Sequence, residues 1–323
     1  MGCWKPEKFT REYTSVDEVR SILEGELDID EISFTTNEAM LNPAFPEIIQ
    51  LCRDFFPNAR LWVITNAMIA ISGRFAHAIS LLDKISLSID GATKGTFETI
   101  RVGSNFDRFV SNVSKIVDIA KENGRPSEIT FGFTATATNL HELADVIRLG
   151  KKLGVSNVWA QPMEIKSKAI EDAISTIHID CLDSTLRREL VDYAVAVAAN
   201  EGMPLFFSEG LYPVSATQVS LRTWKDSNTF DDSFVRKCQY PWREPVQLVK
   251  YGNRNVALPC CYMLSDEEEL RTLAQEFNLS FDMVASASEI YNSPEMWDFR
   301  EALLDGKTAR LCGNCDAARA YQP

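Results

Sequence analysis

The chain has 323 residues, of which 45% are apolar and 24% are charged, and its formal net charge is -13. This composition is typical of a folded globular protein, and the length is sufficient for two domains. The negative charge argues against binding to nucleic acid or to an anionic membrane surface, because both are themselves anionic. The sequence has neither a secretory signal nor an apolar run of the roughly 18 residues that a transmembrane helix requires, so a cytoplasmic location is expected.

The first two thirds of the chain alternate short apolar segments, often β-branched, with amphipathic ones. This alternation is typical of βα units that build a parallel sheet. Strands are predicted at 29–34, 61–65, 85–89, 129–135, 155–161 and 205–207. Helices are predicted at 46–55, 75–82, 106–123, 140–153 and 186–200. Residues 1–210 are therefore predicted to form one α/β domain.

After about residue 210 the pattern changes, and residues 211–323 are predicted to form a smaller α+β domain. Two short strands, at 245–249 and 255–258, are joined through Gly252 and Asn253 in the manner of a hairpin. This domain also contains five of the eight cysteines, at Cys238, Cys260, Cys261, Cys312 and Cys315. In a chain without an export signal, metal ligation or burial is favoured over disulfide bonds.

The cysteines of the second domain are spaced as metal ligands. The C-x-x-C at 312–315 has small central residues that allow both thiolates to face one metal. With Cys238 and one of Cys260 and Cys261 it supplies four thiolates, which suits a 4Fe–4S cluster or structural zinc. Buried thiols without a metal are a third interpretation, and the pattern does not choose between Cys260 and Cys261. Cys52, on the apolar side of its helix, is expected in the core.

Several segments follow one another in an order found in a known family. The first group follows predicted strands and comprises 36–43 (TNEAMLNP), 65–67 (TNA), 88–91 (SIDG), and 96–101 (TFETIR) with 103–106 (GSNF). The second group comprises 238–242 (CQYPW), 259–261 (PCC), 290–293 (IYNS), Arg300 and the C-x-x-C. Together they resemble radical S-adenosylmethionine enzymes that carry an auxiliary iron–sulfur domain of the SPASM or twitch type. The resemblance covers nearly the whole chain, although the family's Gly-Gly-Glu-Pro and Thr-Asn-Gly motifs are altered.

The resemblance implies a partial (β/α)6 TIM-like barrel that lacks its first strand, followed by a cysteine-rich domain with one auxiliary 4Fe–4S cluster. It implies that a reduced catalytic cluster cleaves S-adenosylmethionine to a 5'-deoxyadenosyl radical, which abstracts hydrogen from a peptide or small-molecule substrate. Members of the family oxidise, crosslink or mature their substrates, and an electron donor such as flavodoxin or ferredoxin is implied. The chain would then be an oxidoreductase or modifying enzyme.

Residues that contact S-adenosylmethionine are also implied by the resemblance, and they are Glu38, Asn66, Ser88, Asp90, Thr134 and Gln161. Each lies near the end of a predicted strand, at the edge where parallel sheets bind ligands. A plain turn is the alternative interpretation of 88–91. Asn139 is more simply the N-cap of the following helix. Arg101 is expected either to pair with a carboxylate or to be solvated.

The catalytic cluster motif is represented by Cys3 alone, which lies where the family's third cluster ligand falls. The family's C-x-x-x-C-x-x-C motif would place two further cysteines before Met1. Three interpretations are open: a protein that begins further upstream, a pseudoenzyme that has lost the cluster, and an unrelated α/β chain with a zinc-binding tail. The last two make the chain a non-catalytic binding protein. Ala67 supports the second interpretation, the pseudoenzyme, because it adds a Cβ where a positive φ or close cofactor approach requires glycine.

Overall fold

The computed structural model describes residues 13–25, 28–35, 38–123, 128–163, 176–212, 241, 247–251, 254–259, 275–281 and 285–308. Backbone contacts divide these residues into two compact units. The first unit contains the described residues from Asp28 to Tyr212. The second contains residues 13–25 together with the described residues from Pro241 onward.

The first unit is built on one parallel sheet whose strands follow one another in chain order. The strands are Glu31–Phe34 (β1), Arg60–Thr65 (β2), Lys84–Ser88 (β3), Glu128–Ala135 (β4), Asn157–Pro162 (β5) and Leu205–Phe207 (β6). Every neighbouring pair is parallel. Parallel strands in sequential order, joined through helical segments, have the topology of a β/α barrel. The predicted α/β fold class, with a six-stranded partial barrel, is confirmed for this unit.

The helices follow the amphipathic segments of the sequence. In chain order they are Val16–Leu23 (α1), Phe45–Phe55 (α2), Arg74–Ser80 (α3), Lys94–Ile100 (α4), Phe106–Glu122 (α5), Leu143–Leu153 (α6), Ser184–Glu201 (α7), Ala287–Tyr291 (α8) and Pro294–Leu304 (α9). At the start of α7 the side chain of Asp183 accepts hydrogen bonds from two backbone amides. Gly154 and Gly202 end α6 and α7 in the left-handed conformation. No helix in the described ranges is long and apolar enough to cross a membrane.

The core of the first unit lies between the helices and one face of the sheet. Alternate strand residues are completely buried on this face, as Ile85, Leu87 and Phe131 show. Cys52 of α2 is also buried, as predicted, and burial raises the pKa of its thiol to about 12. The opposite face of the sheet carries mostly polar or small side chains, among them Ser33, Lys84, Ser86, Ser88, Thr130, Gly132 and Gln161. That face and the strand ends therefore hold the groups available for chemistry.

The second unit contains an antiparallel sheet of Gln247–Tyr251 (β7), Arg254–Leu258 (β8) and Ser280–Phe281 (β9). Tyr251 lies opposite Arg254 across the β7–β8 pair, so the predicted hairpin is confirmed. Buried apolar residues of this unit include Leu258, Leu279 and Phe299. They show that β8 and α9 contribute to an apolar interior.

Candidate functional site at the carboxyl edge of the sheet

Glu38 follows β1 and reaches the end of the neighbouring strand. Its Oε1 accepts a hydrogen bond from the Thr65 hydroxyl at 2.6 Å, and its Oε2 accepts one from the Asn66 amide at 2.6 Å. Burial raises the pKa of Glu38, and these hydrogen bonds together with the positive charge of Arg101 oppose that effect only in part. Because a carboxylate has about four acceptor positions, Glu38 can still accept hydrogen bonds from a bound cation.

The turn after β2 contains a left-handed alanine. Ala67 has φ of 55° and its side chain is completely buried. Asn112 of α5 donates from Nδ2 to the carbonyl oxygens of Ala67 and Ile69, each at 2.7 Å. The left-handed conformation costs alanine about 1 kcal/mol. Of the two reasons expected for the family's glycine at this position, a positive φ and close cofactor approach, the structure shows the first, so the chain keeps the turn conformation without the glycine.

Asp90 follows β3 and joins three parts of the site. Its Oδ1 accepts a hydrogen bond from the Thr134 amide at 2.9 Å, and its Oδ2 pairs with Nη2 of Arg101 at 2.8 Å. The side chains of Asp90 and Arg101 are 7% and 20% exposed, so water screens this ion pair only weakly. Of the two expectations for Arg101, pairing with a carboxylate is the correct one.

Asn139 does not cap the following helix, and that prediction was wrong. It immediately precedes the 3-10 helix Leu140–Glu142, but its side chain makes no capping hydrogen bond. Its Nδ2 instead donates to the carbonyl oxygens of Asp90 at 3.1 Å and Thr134 at 2.9 Å. The prediction considered only nearby amides, whereas this fully buried side chain links the ends of β3 and β4.

Glu142 is an important residue of this edge that the sequence analysis missed. Its carboxylate accepts hydrogen bonds from the amides of Ala92 and Thr93, at 2.6 and 3.1 Å, and from the hydroxyls of Thr93 and Thr96. Burial acts to raise the pKa of Glu142, but these hydrogen bonds outweigh it and the pKa is lowered. The four contacts fix the loop after β3 and the first turn of α4. A glutamate near the start of a helix gives no sequence signal for this role, because most such residues are solvated.

All six residues predicted to bind the cofactor lie at the carboxyl ends of the strands, and they form two close groups. Glu38 is hydrogen-bonded to the backbone of Asn66, and Asp90 to the backbone of Thr134. Ser88 is the last residue of β3, and Gln161 lies opposite Thr134 in the β4–β5 register. Their role in binding a cofactor stays a prediction.

The predicted metal ligands lie outside the described residues, and they are Cys3, Cys238, Cys260, Cys261, Cys312 and Cys315. Within the described part of the chain, no group of three or more His, Cys, Asp or Glu side chains is arranged to hold a metal ion. The assignment of a metal to these cysteines therefore stays a prediction.

No protein-family model and no curated protein matches this sequence. Among solved structures, Streptococcus suis SuiB bound to S-adenosylmethionine is similar with a TM-score of 0.55 and 13% identity, over 93% of this chain and 64% of SuiB. SuiB bound to its precursor peptide SuiA has a TM-score of 0.58 and 11% identity, over 92% of this chain and 62% of SuiB. The AdoMet-bound structure of anSMEcpe has a TM-score of 0.51 and 12% identity, over 95% of this chain and 81% of anSMEcpe. The chain thus spans less than two thirds of SuiB, and at these identities the similarity concerns the fold.

Proposed function

We propose that this chain is a radical S-adenosylmethionine enzyme whose sheet edge binds the methionyl part of the cofactor. The observation that carries the proposal is a pair of opposite charges, the carboxylate of Glu38 and the guanidinium of Arg101. Burial raises the pKa of Glu38, and the positive charge of Arg101 opposes that rise, so the two charged groups lie near each other at this edge. A methionyl group carries both an ammonium and a carboxylate, so one charge can bind each end.

The guanidinium of Arg101 keeps donors for a ligand besides the one that binds Asp90. Asp90 occupies Nη2 at 2.8 Å and orients the guanidinium, whereas the buried Nε has no partner among the described residues. A buried donor without a partner is costly, and a ligand carboxylate would satisfy it. Glu38 has the complementary capacity, because it can accept further hydrogen bonds from an ammonium. The residues present therefore fit S-adenosylmethionine.

A reduced 4Fe–4S cluster bound to S-adenosylmethionine would supply the electron that releases the 5'-deoxyadenosyl radical. Cys3 is the residue of this chain that we assign to that cluster. The described side chains orient the cofactor, with Glu38 and Arg101 at its charged groups. Further hydrogen-bonding groups along the same edge are Asn66, Ser88, Thr134 and Gln161.

The proposed substrate is a peptide. The structures of SuiB with its precursor peptide SuiA and of anSMEcpe with AdoMet and the Cp18Cys peptide support this choice, since both proteins share the fold of this chain. The proposal includes a cytoplasmic electron donor such as flavodoxin or ferredoxin. It also includes residues 211–323 as an auxiliary domain, with a 4Fe–4S cluster on Cys238, Cys260 or Cys261, Cys312 and Cys315. Zinc on these thiolates is the alternative.

The test is a calorimetric titration with S-adenosylmethionine, before and after anaerobic reconstitution of the chain with iron and sulfide. Glu38→Gln and Arg101→Met should each weaken binding at least about tenfold, because each removes one charge-assisted contact. Lys94→Met is the matched control, because it removes a positive charge at the other end of α4 from an ion pair with Asp107 that is well exposed. Its affinity should equal that of the wild type.

Two results would contradict the proposal. One is an absence of S-adenosylmethionine binding by the reconstituted wild-type chain. The other is equal affinity in the Glu38→Gln, Arg101→Met and wild-type proteins, which would place the ligand elsewhere. If either result is obtained and the bound metal is zinc, the alternative of a non-catalytic binding protein is favoured.

A further inference from the structure

Two aromatic side chains interrupt the polar face of the six-stranded sheet, which is the face opposite the core. Trp159 of β5 and Phe206 of β6 are partners in the parallel register, so they lie side by side on the same face. Trp159 is 43% exposed and Phe206 is 51% exposed, whereas Val158 and Ala160 on the core face are completely buried. Adjacent exposed rings among polar side chains are typical of a ligand-binding surface.

The indole of Trp159 is fixed at its edge and open at its ring. Its Nε1 donates a hydrogen bond to Oε1 of Gln161 at 3.1 Å. Because the indole nitrogen is the only polar atom of the side chain, the rest of its exposed surface is apolar. Gln161 lies two residues nearer the carboxyl end of β5, which is about 7 Å along the strand. The hydrogen bond therefore joins the exposed ring to a residue predicted to bind the cofactor.

A glycine leaves space beside this ring. Gly132 of β4 is the register partner of Trp159 on one side and of Ser88 on the other. A Cβ at Gly132 would come within 3.3 Å of Oγ of Ser86, which is closer than most Cβ contacts. The sheet thus has a gap between the indole and Ser88. A flat group that stacks on Trp159 can occupy this gap next to a predicted cofactor contact.

The charged side chains of the same face compensate one another. Glu31, Arg60, Lys84 and Glu128 are the first residues of β1 to β4, so they lie at the amino ends of the strands. Arg60 and Lys84 approach Glu128 at 2.8 and 3.3 Å, and Arg60 approaches Glu31 at 3.9 Å. Two acidic and two basic groups have no net charge. An uncharged side chain therefore complements this aromatic surface better than a charged one.

We propose that Trp159 and Phe206 form a stacking platform for an aromatic side chain of the peptide substrate. This inference rests on the peptide substrate of the proposed function. Aromatic rings that stack or meet edge to face gain free energy beyond that of their buried area, which favours an aromatic over an aliphatic side chain. A ring on Trp159 lies beside Ser88, at the sheet edge where we place the cofactor. The platform therefore determines which residue of the peptide is presented to the cofactor.

The test uses three capped pentapeptides, Gly-Gly-X-Gly-Gly, in which X is phenylalanine, cyclohexylalanine or alanine. Each is titrated, with detection by the line widths of its NMR signals, into the reconstituted full chain in the presence of S-adenosylmethionine. Cyclohexylalanine has the size and apolar character of phenylalanine but no aromatic ring. The wild type should therefore bind the phenylalanine peptide at least about threefold more tightly than the cyclohexylalanine peptide, and the alanine peptide most weakly.

Three variants assign this preference to the ring of Trp159. Trp159→Leu should abolish the preference for phenylalanine over cyclohexylalanine. Trp159→Phe should keep it, because the ring remains although the donor to Gln161 is lost, so an effect that acts through Gln161 is separated from stacking. Trp297→Leu is the matched control, since it makes the same substitution at a tryptophan that is 54% exposed in the second unit. Its preference should equal that of the wild type.

The outcomes separate this inference from the function on which it rests. Equal affinity of the wild type for the phenylalanine and cyclohexylalanine peptides, or an unchanged preference in Trp159→Leu, would overturn the platform. A wild-type chain that binds S-adenosylmethionine but none of the peptides would also overturn it, while the cofactor site would stand. A chain that does not bind S-adenosylmethionine contradicts the proposed function and this inference together. If Trp159→Leu does not fold, Phe206→Leu replaces it and should reduce the preference at least about twofold.

Discussion

At the carboxyl edge of the six-stranded sheet, Asp90, Asn139 and Glu142 are at most 5% exposed, and each makes several hydrogen bonds to groups of the same unit. In the second unit Arg300 and Thr308 are buried to the same degree, and each has an atom without a partner among the described residues. The hydrogen-bond network at the sheet edge is largely satisfied by the protein itself, and it leaves donors of Arg101 and acceptor positions of Glu38 for a ligand. In the second unit, Nη2 of Arg300 and the hydroxyl of Thr308 have no acceptor among the described residues.

This difference predicts opposite responses to similar substitutions. A buried polar group that has its partners stabilises the fold, and removing one partner leaves the other unsatisfied. A buried group without partners destabilises the fold until a ligand binds, so its removal should stabilise the ligand-free protein. Substitutions in the two units therefore test whether this comparison is correct.

The largest effect is expected for Asp90→Asn. The substituted side chain keeps an acceptor for the Thr134 amide but leaves the guanidinium of Arg101 largely buried without its counter-ion. The free energy of unfolding should fall by about 3 kcal/mol in urea denaturation. The double variant Asp90→Asn with Arg101→Met should recover at least about 1 kcal/mol, because it removes the unpaired charge.

The control for Asp90→Asn is Asp107→Asn, which breaks a well exposed ion pair with Lys94. This substitution should not lower the free energy of unfolding by more than the measurement error, because water screens the two charges. A loss in Asp107→Asn as large as that in Asp90→Asn would mean that burial of the pair is unimportant, and the comparison between the units would then fail.

The framework of the first unit was predictable because it depends on local periodicity. Strand 85–89 was recognised as one of the short apolar, often β-branched segments, and Ile85 and Leu87 are completely buried. The positive φ of Ala67 was one of the two reasons expected for the glycine that the family has at that place. The order of the six strands follows from the repeated βα pattern, since such connections place successive strands side by side.

Features that depend on partners distant in the sequence were not predictable. Helix α4 was missed, and its first turn is fixed by Glu142, which is more than forty residues away. Asn139 was given a local capping role because the carbonyl oxygens of Asp90 and Thr134 come near it only in the folded sheet. Likewise, that Nη2 of Arg300 has no partner among the described residues emerges only when the surrounding side chains are known.

A smaller effect is expected for Glu142→Gln, with a distinctive dependence on pH. The amide nitrogen of the new side chain would face the amide and hydroxyl donors of Ala92, Thr93 and Thr96, so the free energy of unfolding should fall by about 2 kcal/mol at neutral pH. The folded pKa of Glu142 lies below its ordinary value of 4.5. Its contribution is therefore complete above pH 4.5 and is lost as the pH falls through the folded pKa.

Urea denaturation between neutral pH and pH 3 or so measures this effect. The wild type should lose more stability on acidification than Glu142→Gln, so the difference between the two proteins should shrink. Curves of free energy against pH that stay parallel would show that the carboxylate is not stabilised in the fold. Glu47→Gln is a suitable control, because Glu47 pairs with Arg74 at an exposed site.

The smallest effect, but the most direct comparison, is the same substitution in each unit. Thr136 and Thr308 are both 1% exposed, but the Thr136 hydroxyl is hydrogen-bonded to Asn139 at 3.0 Å and to Thr138 at 2.9 Å, whereas that of Thr308 has no described partner. Without metal, Thr136→Val should lower the free energy of unfolding by about 1 kcal/mol and Thr308→Val should raise it by about 1 kcal/mol. A loss of stability in metal-free Thr308→Val would show that the second unit already satisfies this group, and the contrast between the units would be reduced to Arg300.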